Sequence, residues 1–81
     1  MTRIQHVFLL EALIPCPSGG APHVHGATVH KSLAGAQARA TQEEGASIEW
    51  VEGTPGAGLP WWRGVVAQKT RWRISEEALL D

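Results

Sequence analysis

The chain has no tyrosine, one phenylalanine and a single cysteine. One cysteine excludes an internal disulfide, so the domain must hold together by packing alone, and a reducing cytoplasm is the expected setting. There is no excess of charge of either sign: seven Lys/Arg against eight Asp/Glu give a net charge of −1. No global field therefore draws the protein to nucleic acid. No apolar run is long enough to span a bilayer. The longest, 7–14, is broken by Glu11, and Arg3 is the only basic residue before it, a poor match to a secretory signal. There is no phosphate loop either, because Gly53-Thr-Pro-Gly-Ala-Gly fits no such pattern and leads into a strand. The paired acids Glu43-Glu44 and Glu76-Glu77 are adjacent in sequence, so neighbouring side chains diverge and make no carboxylate dyad. At 81 residues there is room for one domain, 1–81, with one modest core and little space for a deep catalytic pocket.

What is present orders itself around 32–45. Ser32 is a good N-cap and Gly45 a good C-terminal stop. Between them Leu33, Ala36 and Ala40 recur on one helical face. That face is nearly all alanine, so the helix can lie close to what it covers. The other apolar segments read as strands. The segment 4–14 is apolar on both faces from Val7 to Leu10, which predicts a central strand. Pro15, Pro17 and Ser18-Gly19-Gly20 end it. A second strand is expected at 23–30, weakened by Gly26. After the helix, 46–52 places Ile48 and Trp50 on one side and Glu49 and Val51 on the other. Residues 53–60 hold a Gly/Pro loop. Segments 61–67 and 70–74 make a hairpin through Gln68-Lys69, a dipeptide without the Asn-Gly or Asp-Gly signal of a tight turn. Trp72 and Ile74 alternate with Arg71 and Arg73, and Ser75 then caps a short turn with Glu76 and Glu77 at its positive end. The expected fold is α+β, with element order β-β-α-β-β-β. A small, mostly antiparallel sheet of four to five strands carries one helix on one face.

Four histidines and the cysteine suggest metal chemistry. His23 and His25 sit at i and i+2, with Cys16 and His30 nearby, and zinc takes such ligands. The spacing matches no standard finger and there is no paired Cys-x-x-Cys, so a solvated polar strand explains the residues more simply. Cys16 lies in a loop between prolines, with no adjacent helix N-terminus to activate it. No catalytic set emerges, and a non-enzymatic protein without cofactors is the expectation.

The tryptophans stand out: Trp50, Trp61, Trp62 and Trp72 in so short a chain. Three could fill a small core under arginine cover. The fourth is harder to place, because consecutive Trp61 and Trp62 in a strand must face opposite sides. Arg63, Arg71 and Arg73 lie close by, and Trp and Arg are the residues most enriched in binding hot spots. Trp61, Trp62, Arg63, Arg71 and Arg73 are therefore the expected partner-contact residues, with the 53–60 loop adapting to the partner. A Trp/Arg surface could also bind single-stranded nucleic acid weakly, opposed by Glu49 and Glu52 on the neighbouring strand. It could equally serve a homodimer.

The succession "VHKSLAGAQARATQEEG", "SIEWVEG", a turn-rich loop and "WWRGVVAQKTRWRISEEALLD" resembles small α+β proteins of phages and mobile elements. In size and element order it is similar to small anti-CRISPR, anti-defence proteins. The insert at 15–23 departs from the tighter hairpin of that pattern. The resemblance implies a phage-encoded inhibitor that binds and blocks a host protein or ribonucleoprotein complex. It assigns no residue a role.

Overall fold

The computed structural model describes residues 4–14, 18–20, 22–53 and 61–80. Expectations that fall on Cys16, Pro15, Pro17 and the 54–60 loop lie outside these residues. The elements are β1 (Ile4–Ile14), β2 (His23–His30), α1 (Leu33–Glu44), β3 (Glu49–Gly53), β4 (Trp61–Val66) and β5 (Lys69–Leu80). The fold is α+β, as the sequence predicts. All five strands form one antiparallel sheet in the order β2-β1-β5-β4-β3. No helix among the described residues is long and apolar enough to cross a membrane.

The helix is set by local chemistry at both ends. Ser32 Oγ accepts the Gly35 N–H at 3.0 Å, satisfying one of the free donors of the first turn. Gly45 takes a left-handed conformation (φ 73°), and its N–H donates to the Thr41 carbonyl at 2.9 Å. In between, α1 carries the chain from edge strand β2 to edge strand β3. Its 12 residues span about 18 Å, close to the width of five strands. It packs on β1, β2 and β5 only. Ala36 and Ala40 are fully buried there, against Leu10, Trp72 and Ile74. The helix does not reach β3 and β4. Large side chains cover that half of the same face instead: Trp50, Trp62, Phe8 and Ile48 close the cluster, with the Phe8 and Trp62 rings 5.9 Å apart. Trp50 and Trp62 thus substitute for a second helix, while Trp72 packs under the first.

Three sequence expectations are corrected. Ser75, Glu76 and Glu77 form no capped turn; β5 continues as strand to Leu80, pairing with β1 as far as Ile4. An isolated turn there would leave the first half of β1 with an unpaired row of backbone groups, and the ladder satisfies them. Glu76 instead receives His6 Nδ1 at 2.8 Å. The third strand is shorter than 46–52 and shifted, at Glu49–Gly53, although Ile48 still packs into the core. The hairpin turn is Ala67-Gln68, one residue earlier than expected. Both residues have positive φ (51° and 66°), the backbone of a type I′ turn made without its usual Asn or Gly. Left-handed backbone costs an ordinary residue about 1–2 kcal/mol. The double substitution Ala67→Asn, Gln68→Gly is therefore expected to raise the unfolding free energy by about 1 kcal/mol, read from the urea midpoint. An unchanged midpoint would mean the turn carries no such strain.

Two bulges break the ladders. Between β1 and β2, Ala12 pairs with Gly26 and Leu13 with Val24, so His25 is the extra residue. Between β4 and β5, Gly64 pairs with Trp72 and Val65 with Thr70, so Arg71 is extra. A bulge re-aims the side chain it carries. Arg71 consequently meets the helix: its Nε lies 3.2 Å from Glu44 Oε1, the oxygen that also accepts Trp72 Nε1–H at 2.9 Å.

Candidate surface on the uncovered sheet face

Strand alternation assigns each residue to one side of the sheet. The side under the helix holds Leu10, Ile74, Trp72, Trp62, Gly64 and Trp50. The other side carries Leu9 and Val29 in one row, continued by Ser75, Trp61 and Gly53. The next row runs Ala27, Glu11, Arg73, Arg63, Val51. Among the described residues no second layer of secondary structure packs on this side. Val29 is its most exposed apolar residue, at 64%.

The five expected contact residues therefore do not form one surface. Trp61, Arg63 and Arg73 lie together on the uncovered side. Trp62 is part of the core, and Arg71 is turned to the helix by its bulge and held by Glu44. Alternation separates Trp61 from Trp62, but it could not part Arg71 from Arg73, because the bulge inserts one residue and reverses the alternation expected across it.

On the uncovered side the charges are unevenly matched. Arg63 stands directly across from Arg73, a like-charge pair that opposes strand pairing. Arg73 is neutralised from its other flank by Glu11, whose Oε1 accepts from Nε and Nη2 at 2.9 Å each. The Glu11 side chain is only 14% exposed, so the bond is well fixed. Arg63 has no ion-pair partner among the described residues. Trp61 beside it is held in place. Its indole lies against Gly53, where an added Cβ would collide with the six-membered ring. The sequence reading missed Gly53. The available signal was a glycine at the end of a strand whose cross-strand partner is a tryptophan.

The described metal candidates, His23, His25 and His30, do not gather into a ligand set. His30 Nε2 is hydrogen-bonded to Thr28 Oγ1 at 2.7 Å. His25 is displaced by its bulge. Among the described residues no three His, Cys, Asp or Glu side chains could share a metal ion.

Comparison with protein-family models, curated proteins and solved structures finds no match to this chain, so its own geometry has to carry the functional reading.

Proposed function

We propose that the protein is a non-enzymatic binding module whose uncovered sheet face recognises an acidic surface on a partner protein in the cytoplasm. The observation that carries this is Arg63: a cation without an ion-pair partner among the described residues, beside a second arginine and Trp61, on the face opposite the helix. A folded chain has little reason to keep two arginines opposed with one acid between them. A carboxylate from outside would relieve that repulsion and form a charge-assisted bond. Trp61 supplies rigid apolar area at low entropy cost. Glu11, Glu49 and Glu77 share the face by alternation, so it fits a single carboxylate placed at Arg63 and opposes the continuous charge of a nucleic-acid backbone. The inhibitor role against a host defence complex rests on the resemblance of sequence pattern alone.

The test uses purified wild type, Trp61→Ala and Arg63→Glu, each checked by circular dichroism. Wild type should capture a specific protein from host extract. Each variant should lose about 2 kcal/mol of binding, roughly thirtyfold, while staying folded. Normal capture by both folded variants would sink the proposal. So would tight tryptophan quenching by single-stranded oligonucleotides that survives physiological salt. A concentration-dependent dimer in light scattering, lost in Arg63→Glu, would assign the face to a second copy instead.

A further inference from the structure

On the opposite side of the sheet, beside the last turns of α1, lies a cleft of 440 Å³ that the proposed partner surface does not use. Its cause is compositional. Ala12 and Gly26 are paired directly across β1 and β2, so the sheet presents almost no side chain at that point. An added Cβ at Gly26 would meet nothing within 4 Å. Leu10, Leu13 and the Trp72 indole complete an apolar floor. The two bulges flank this hollow and turn His25 and Arg71 toward it, and Arg39 joins them from the helix.

The charges around the cleft differ in accessibility. Glu44 is 14% exposed and already accepts from both Trp72 and Arg71. The side chains of Arg39 and Arg71 are nearly half exposed, at 47% and 48%. Nε of each meets its glutamate, Arg39 to Glu43 at 2.8 Å and Arg71 to Glu44 at 3.2 Å. Planar guanidinium edges of this kind match carboxylate and sulfonate oxygens. The helix C-terminus opposes an anion here with about half a unit charge. Two arginines stand against two glutamates there, so the formal charges balance; Glu44 is held by Trp72 and Arg71, and the exposed arginine side chains can turn to an incoming acid group.

We infer that this cleft is a binding site for a small amphipathic anion. Its apolar body lies on Ala12, Gly26 and Trp72, and its acid group meets the half-exposed Arg39 and Arg71 side chains. Such a site follows the usual construction of ligand pockets, an apolar wall with a few convergent polar groups.

The test compares two probes with nearly the same apolar body: 1-anilinonaphthalene-8-sulfonate, which is anionic, and N-phenyl-1-naphthylamine, which is uncharged. The sulfonate should bind wild type one-to-one, at least tenfold tighter than the amine. Arg39→Gln changes only an exposed side chain and should weaken the sulfonate several-fold while leaving the amine unchanged. Gly26→Leu, whose Cβ meets nothing within 4 Å, places a side chain in the hollow and should abolish binding of both. Its thermal transition should match wild type, which excludes a misfolded probe-binding state. Equal affinity for the two probes would overturn the inference. So would sulfonate binding that is unchanged in Arg39→Gln, or binding that persists in folded Gly26→Leu.

Discussion

Ile74→Ala is expected to lower the unfolding free energy by about 2–5 kcal/mol. Ile74 is fully buried and sits on the strand that joins the two halves of the sheet. Its cross-strand neighbours are Leu10 on β1 and Trp62 on β4, and Ala36 and Ala40 complete the cluster. The alanines cannot extend into the space left behind, and the tryptophan is fixed by its own packing. The cavity should therefore persist and add to the lost transfer energy. Ile74→Val removes one methyl and should cost about 0.5–1.5 kcal/mol. In a domain of this size a loss of 3 kcal/mol corresponds to a drop in Tm of roughly 12–24 °C. Calorimetry of the two variants checks this. Equal losses for valine and alanine would show that the core collapses around the site.

Gly64→Val is expected to destabilise by about 1–3 kcal/mol, against the direction that strand propensity gives. Glycine is a poor strand residue, and valine would ordinarily gain up to about 1 kcal/mol at such a position. Gly64, however, is buried between Trp72 and Trp50, its neighbours across β5 and β3. An added Cβ would lie 2.8 Å from Trp72 Cβ, 2.9 Å from Ile48 Cγ2 and 2.9 Å from Trp50 Cζ3. The nearest of these atoms is anchored to the backbone and cannot swing away. Packing thus outweighs propensity, and the urea midpoint should fall. Gly26→Val is the matched comparison, a strand glycine with open space around its added Cβ. It should be neutral or stabilising. A stabilised Gly64→Val would mean that the tryptophans can move apart, which would undo the account of how β3 and β4 are covered.

The tryptophan count shows how sequence and structure divide the explanation. The composition already implies that three tryptophans can serve a small core and that one of the consecutive pair must face away. The structure identifies Trp61 as that residue and adds the reason Trp50 and Trp62 are needed: α1 ends its coverage at β5. The arginines divide differently. Arg71 and Arg73 look equivalent in the alternating run of 71–74, yet one pairs with the helix at Glu44 and the other with Glu11 on the far face.

By itself the sequence determined the elements whose signals are local. The helix begins at Ser32 and stops at Gly45 because both caps act within four residues of the groups they satisfy. The central position of β1 follows from side chains that are apolar on both faces. Only the tertiary structure decided the continuation of β5 to Leu80, the Ala67-Gln68 turn, the two bulges, and therefore which arginines share a surface. Each depends on which strand pairs with which and in what register, as when residues near Ile4 meet residues near Leu80. A one-residue shift in that pairing moves a side chain to the opposite face. No short stretch of sequence contains the information that fixes it.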